Sequence, residues 1–382
     1  MIDKAFTINT LQKLVQINSV NPGLVEGAPG EGEIARFIHE QLIQMGVDSR
    51  ITDAAPGRPN VTAIIKGNGG GKSLMINAHT DTVGVEGMDD PFSARIENEK
   101  LYGRGSYDMK SGIAAMLAVA KSFADSKPDI SGDLVLTFVA DEEHESVGAA
   151  AIADEIRTDS AIVTEPTDLR LCLAHRGFSI HKITVHGKTA HGGNHMLGVD
   201  ANVKMGLLLN EIAEFAKHLP VQNRHPLCGE GSMHVPLIEG GRSLFIYSHK
   251  CTIHTERRTL PGETQKAVET DLRNLIANVK KKDPEFRADL EDVLWRSPYE
   301  ISPDKDIVKA ATSAAESVLG KVPETIGHTW WEDSAIFGEA GMETMILGAK
   351  GGGIHEDIEW VEIGSVIELA EILYRTTLDY CS

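Results

Sequence analysis

The sequence is poor in cysteine, in aromatic residues, in positive charge and in long apolar runs, and each shortage excludes something. Its four cysteines, Cys172, Cys228, Cys251 and Cys381, lie far apart and form no C-x-x-C pair, as expected of a cytoplasmic protein with reduced thiols. Aromatics make up 5% of the residues, so aliphatic packing must dominate the core. Lysine and arginine number 37 against 56 aspartate and glutamate, a net charge of −19. Such a surface repels nucleic-acid phosphates and anionic membranes. Solubility accounts for most of that charge, and a smaller share of the carboxylates is available to metal cations. No stretch approaches the ~18 apolar residues of a membrane span. Residues 1–20 are amphipathic and lack the basic-then-apolar order of an export signal. G-x-S-x-G is also missing, which argues against a serine hydrolase of the α/β type.

What is present fits a soluble globular chain. Its 382 residues are 41% apolar and 24% charged, enough for two or three domains at about 100–200 residues each. Short aliphatic runs at 61–66, 73–78, 134–140 and 161–164 read as strands, and helical spacing recurs at 109–123 and 146–156. Strands apolar on both faces, alternating with helices, imply a mostly parallel central sheet flanked by helices. From about Arg176 the order changes to a strand at 178–186, a helix at 201–218, a strand at 243–255 and a helix at 263–282. A strand at 293–299, a helix at 306–320 and a strand at 344–347 then resume the first style. The expected architecture is a discontinuous α/β domain, residues 1–175 and 291–382, interrupted by a smaller α+β domain at 176–290.

The polar residues fall at the ends of these strands. The first runs lead into His79-Thr-Asp-Thr-Val, into Asp141-Glu-Glu and into Glu165-Pro-Thr, and the last leads through a glycine run to His355. Ligands bind beyond the carboxyl ends of strands in open α/β sheets. Asp108 joins them from the segment ahead of a predicted helix. Imidazoles and carboxylates without thiolates suit zinc, cobalt or manganese in a hydrolytic site. Asp81 is spaced to accept the second ring N–H of a metal-bound His79. Of the adjacent pair Glu142 and Glu143, one can bind metal while the other faces the substrate water as a base.

Taken together, His79-Thr-Asp-Thr-Val, Gly103-Arg-Gly-Ser-Tyr-Asp-Met-Lys-Ser-Gly, Asp141-Glu-Glu, Glu165-Pro-Thr, Glu256-Arg-Arg-Thr-Leu-Pro-Gly and His355 followed by Glu362 resemble the M20 metallopeptidase family. That family includes acetylornithine deacetylase, succinyl-diaminopimelate desuccinylase, aminoacylase and glutamate carboxypeptidase. The resemblance implies two divalent ions, zinc first and cobalt or manganese as alternatives. His79 and Glu165 would hold one ion, His355 and Glu143 the other, and Asp108 would bridge them. It makes Glu142 the general base and Asp81 the partner of the metal histidine, and it implies a cis peptide at Asp108–Met109. The inserted domain becomes a lid and dimerisation domain, in which His191 reaches a reaction-centre oxygen and Arg258 grips a substrate carboxylate. Asn194 and His195 beside it read as solvent-facing loop residues.

The departures are Glu256 where many members have aspartate, His144-Glu145-Ser146 after the acidic pair, and the two tryptophans of His328-Thr-Trp-Trp. They bear on the substrate pockets rather than on the ligands. Two glycine-rich segments are set aside. Lys66-Gly-Asn-Gly-Gly-Gly-Lys-Ser lacks the first glycine and the following helix of a phosphate loop, and Gly103–Asp108 lacks the third glycine of a dinucleotide fingerprint. The expected activity is cleavage of an N-acyl amino acid by a two-metal amidohydrolase, as a homodimer. An exopeptidase acting on di- or tripeptides is the alternative. A non-catalytic metal-binding relative is disfavoured because every ligand position is filled. A two-metal phosphoesterase is disfavoured by the acidic balance.

Overall fold

A computed structural model describes residues 1–222 and 224–382, which divide into two compact units. The first comprises residues 1–173, 301–326 and 332–382, and the second residues 174–300 and 327–331. Among the described residues no helix is long and apolar enough to cross a membrane.

The first unit is built on a mixed sheet. In spatial order its strands are Ser49–Ala55, Arg58–Ile65, Leu134–Val139, Leu74–His79, Ser160–Val163, Glu343–Ile346 and Leu171–His175. The middle four run parallel, and the strands outside them pair antiparallel. The sheet is therefore less parallel than its sequence suggests. Ser49–Ala55 and Arg58–Ile65 are joined by a turn too short for a crossover, so they can only pair antiparallel. Leu74–His79, Leu134–Val139 and Ser160–Val163 are buried at every position, which is why they read as continuous apolar runs. Met75, Val135, Ala161 and Val163 meet the helices Val147–Glu155 and Ser334–Glu339 through Ala149, Ile152 and Phe337. Alternate residues turn to the opposite face, where the helix Lys110–Ser126 packs beside Lys4–Gln16 and Ile363–Tyr380.

A second, four-stranded sheet in this unit pairs Trp360–Glu362 with Lys100–Tyr102 and extends to Gly351–Gly352 and Arg95–Glu97. It ties the segment before Asp108 to the segment after His355.

The second unit has an antiparallel sheet in the order Ser232–Gly240, Lys250–Thr259, Gly177–His186, Arg287–Arg296. Its helices Ala201–Gln222 and Gln265–Lys282 bury Leu208, Ile212, Leu272, Leu275 and Val279 against Ile183, Val185 and Ile253. Two sequence expectations need correction here. The strand expected at 243–255 begins at Lys250, and its partner Ser232–Gly240 was not foreseen. That strand carries Pro236 inside a register shift between His234 and Leu237, and it exposes Leu237 and Ile238, so its alternation is broken. The strand expected at 293–299 to resume the first domain belongs to Arg287–Arg296, which pairs with Gly177–His186. An irregularity between Asp292 and Leu294 disguises its period, and the expected border near 290 falls inside this strand. The segment 327–331 clusters with this unit too, with His328 stacked on Trp330.

Beneath the strand ends of the first unit lies a buried ion group. Arg58 Nη2 is 2.7 Å from the wholly buried Glu31 and also pairs with Asp141, while its Nη1 donates to Asn21 Oδ1 at 3.1 Å. Removing one partner from a buried pair leaves an uncompensated charge, at a cost of about 3–5 kcal/mol. Arg58→Met is expected to lower unfolding stability by roughly that amount, measured by urea titration; an unchanged midpoint would show the group to be dispensable.

Candidate metal centre

The centre begins with sheet geometry. Four adjacent parallel strands end on the same edge, and each delivers side chains there. His79 closes Leu74–His79, with Asp81 two residues on. Glu142 and Glu143 follow Leu134–Val139, Glu165 follows Ser160–Val163, and His355 follows Glu343–Ile346 after the short strand Gly351–Gly352. Asp108 sits just ahead of the helix Lys110–Ser126, where the helix dipole favours negative charge. The peptide Asp108–Met109 is cis. His355 leaves the backbone at φ +59, and Asp141, just before the acidic pair, stands at φ +72. Positive φ at non-glycine residues is costly and concentrates at functional sites.

The contacts fall into two groups that share one residue. His79 Nε2 lies 3.1 Å from Asp108 Oδ1 and 3.4 Å from Glu165 Oε1. His355 Nε2 lies 3.2 Å from Asp108 Oδ2 and 3.1 Å from Glu143 Oε2. In each triad, one ligand atom per residue lies within 4.8 Å of the others. The structure thus brings together His79, Asp108, Glu143, Glu165 and His355, with Glu142 and Asp81 beside them.

Asp81 plays a broader part than its sequence spacing indicates. The shortest contact to His79 Nδ1 is from its main-chain oxygen, at 3.0 Å, while its carboxylate stands 3.6 Å away. That carboxylate instead accepts the backbone N–H of Glu142 and of Glu143, both at 3.2 Å, and Asn21 Nδ2 at 2.7 Å. It orients both members of the acidic pair.

Electrostatics tests whether these residues fit a cation. Burial, then Asp333 and Glu143, hold the Glu142 carboxyl well above the usual carboxylate range. Burial and Asp108 do the same to Glu165 and, to a lesser degree, Glu143. Burial opposes charge on His79, but Glu165, Asp108 and Asp81 more than offset this and raise its pKa. His355 is pushed up to about 10 by its bonds to Asp108 and Glu143. Burial also works against the charge on Asp108, yet the two imidazoles keep its pKa low. Glu165 Oε1 is buried and accepts no hydrogen bond. An uncompensated set of oxygen and imidazole donors, two per group plus a shared carboxylate, fits divalent transition cations.

His191 and Arg258 belong to the second unit. His191 is exposed, and its Nδ1 accepts the N–H of Gly193 at 3.1 Å. Arg258 is partly exposed, with Nε 2.5 Å from Glu256 and its guanidinium over the Phe178 ring.

Several supporting residues have no mark in the sequence. Asn21, Arg58 and Glu31 reach the site through Asp81 and Asp141; burial, and then Asp81, push Glu31 up to about 7 despite Arg58. Beyond His355, Glu362 is exposed at the start of the helix Ile363–Tyr380, and the buried acid of that segment is Glu359, which sequence reasoning missed.

Comparison with known proteins agrees with this chemistry. The acetylornithine deacetylase of Aliivibrio salmonicida is 26% identical over 381 residues, covering 97% of each chain. The N-formyl-4-amino-5-aminomethyl-2-methylpyrimidine deformylase of Halalkalibacterium halodurans is 24% identical over 403 residues, 97% of this chain and 94% of the relative. Among solved structures, aminopeptidase PepT of Bacillus cereus shares the fold with a TM-score of 0.81 at 20% identity, over the full length of both chains. The profile of peptidase family M20/M25/M40 matches residues 75–379, and the chain belongs to that family of metal-dependent amide-bond hydrolases.

Proposed function

We propose that this protein is a co-catalytic two-metal amidohydrolase that releases a free amino acid from an N-acyl amino acid. The observation that carries the reading is Asp108, whose two carboxylate oxygens address two different imidazoles at 3.1 and 3.2 Å. In this reading His79 and Glu165 hold one cation, His355 and Glu143 the other, and Asp108 both. Zinc is the first expectation, with cobalt or manganese as alternatives. When bound, such a pair lowers the pKa of a water molecule towards ~7 and polarises the amide carbonyl.

The chain's own groups supply the rest of the mechanism. Glu142 takes the proton from the attacking water and returns it to the departing amine nitrogen. Burial, and then Asp333 and Glu143, suit it to that task by holding its carboxyl above the usual carboxylate range. Asp81 fixes the direction of Glu142 through the backbone N–H it accepts. His191 is assigned to the carbonyl oxygen that becomes negative, and Arg258 to the substrate carboxylate, for which its planar fork is suited. A homodimer through the second unit is part of the reading. Its edge strand Ser232–Gly240 leaves Leu237 and Ile238 exposed, and such edges invite pairing. So is a reducing, cytoplasmic setting, given four buried cysteines that form no disulfide. The acetylornithine deacetylase relative favours an acylated amino acid as substrate, and the deformylase relative adds a one-carbon acyl group to those worth testing.

Substrate class is tested by comparing kcat/KM for N-acetylornithine, N-succinyl-diaminopimelate, an N-formyl aminomethylpyrimidine and glycine-containing dipeptides. The highest value is expected with an acyl amino acid; a clear preference for dipeptides would make the protein an exopeptidase on the same centre. Glu142→Ala should lower kcat by about 10²–10⁴-fold, the usual share of a general base. Elemental analysis should still find both ions in that variant, and an undiminished kcat would remove Glu142 from the role. Metal removal gives a third outcome. The raised pKa values of Glu142, Glu143 and Glu165 favour the folded state only while these groups stay protonated, so their contribution is lost as pH rises above the ordinary carboxylate range. The raised values of His79 and His355 contribute fully below 6.5, and the His355 contribution is lost as pH climbs towards about 10. Both effects have the same sign, and Asp108, held low, stays constant across this window. The Tm of stripped protein should therefore fall from pH 5 to 7, above which the buried Lys110, held down to about 7 by burial, works in the opposite direction. Added zinc should raise Tm most at the upper end of that range. A stripped protein whose Tm rises across it would contradict the electrostatic account.

A further inference from the structure

Resting on the reading of Asp108 as a carboxylate shared by two cations, we propose that Glu359 is the positioning residue that sets Asp108 in place and couples it to His355. Glu359 touches none of the candidate ligand side chains. It is 1% exposed, and both of its oxygens are occupied. Oε2 accepts from Arg104 Nη1 at 2.8 Å and from the backbone N–H of Gly105 at 2.9 Å. Oε1 accepts from the backbone N–H of Tyr107 at 2.8 Å and of Asp108 itself at 3.0 Å. A carboxylate offers about four lone-pair positions, and residues 104–108 fill them all.

The backbone of this turn is shaped for an anion. Gly103 and Gly105 adopt φ +146 and +77, conformations open to glycine that let successive amides converge on one point. Glu359 is thus the centre around which the segment leading to Asp108 is wound. The direction of the Asp108 carboxylate, one oxygen towards His79 and the other towards His355, follows from where its backbone is held.

The same residue fixes the other half of the centre. His355 lies four positions upstream, and Arg104 Nη2 also donates to the carbonyl of Glu356 at 3.1 Å. Gly103 N–H donates to the Glu359 carbonyl at 3.1 Å. Immediately beyond, Trp360–Glu362 pairs with Lys100–Tyr102 in register, Trp360 opposite Tyr102. The 355–359 and 103–108 segments are therefore one hydrogen-bonded assembly, with Glu359 between the paired strands and the ligands. Residues that orient metal ligands from behind typically control affinity or activity by about 10–100-fold.

Glu359→Gln is the isosteric test. It turns two of four acceptor positions into donors that face N–H groups. Stripped protein would be titrated with zinc and with cobalt, and steady-state kinetics taken on the reloaded enzyme. Both ions are expected to bind about 10–100-fold more weakly, the cobalt absorption spectrum to change, and kcat to fall with KM little altered. Glu359→Asp retains the charge and should recover part of each loss, whereas a role in general stability alone would lower Tm and leave the affinities of folded protein untouched. Should the glutamine variant fail to fold by circular dichroism, the aspartate variant is judged by the same measurements. Wild-type affinities and spectrum in the folded variant overturn the proposal. Asp108→Asn separates the underlying reading from this one. If that variant keeps both ions at native affinity, the shared-ligand reading fails. If it loses them while folded Glu359→Gln binds normally, only the role of Glu359 is refuted.

Discussion

Negative charge confined at the end of a parallel sheet is the constraint on which this molecule turns. Asp81, Asp108, Glu142, Glu143 and Glu165 gather where four strands stop, with Glu332 and Asp333 buried among the groups that act on them. Against the charge of Asp81, Asp108, Glu143 and Glu165 stand the imidazoles of His79 and His355 and the amide donors of Asn21, Glu142 and Glu143. Burial raises the cost of each negative charge, and every neighbouring carboxylate raises it further. A chain folds into such an arrangement only where rigid elements force the ends together, and here completely buried strands do so. Cations relieve the strain, so metal affinity and the instability of the empty centre are two sides of one free energy.

Much of this was legible in the sequence because the chemistry sits at punctuation points. Aliphatic runs that stop at a histidine or an acid announce both the strand and what it delivers, as at His79, Glu142 and Glu165. His355 was less direct, since a glycine run separates it from its strand, and family resemblance supplied its role as a ligand. The second unit was less readable wherever a bulge interrupts alternation. Pro236 hid one edge strand, and the irregularity at Asp292 sent another to the wrong domain. Counting strands as parallel because they were apolar also overshot. Apolar on both faces means buried, and Arg58–Ile65 shows that an antiparallel strand of a flanked sheet can be buried as well.

Residues that support the site from behind its ligands were not legible at all. Asn21 reads as part of a turn, Arg58 as a surface charge and Glu359 as one acid in an acidic stretch. Their partners lie 60, 37 and 254 positions away in Asp81, Asn21 and Gly105, and no local pattern marks a side chain whose purpose is a hydrogen bond to a distant part of the chain. Glu356, Glu359 and Glu362 all follow His355, and spacing alone does not tell which of these carboxylates turns inward.

The buried carboxylates of the first unit sort into two kinds, and the sorting itself argues for function. Asp81 is answered by amides and Asn21, Asp141 by Arg58 and Asn21, and Glu359 by Arg104 and three backbone N–H groups. Burial raises the pKa of Glu359 as well as of Glu142 and Glu165, so the division rests on hydrogen bonds, and an oxygen of Glu165 accepts none. Were the cluster merely structural, satisfying some acids completely while leaving their neighbours repelling one another would be wasteful, because buried polar groups are ordinarily paired. The division makes sense if the satisfied set is the frame and the unsatisfied set is kept for something that arrives later. The frame must then be stable by itself, which places Arg58 and Arg104, the two buried cations within it, at the root of the arrangement. Each neutralises an acid of the frame, so that the net negative charge is concentrated on the residues that face the ligands.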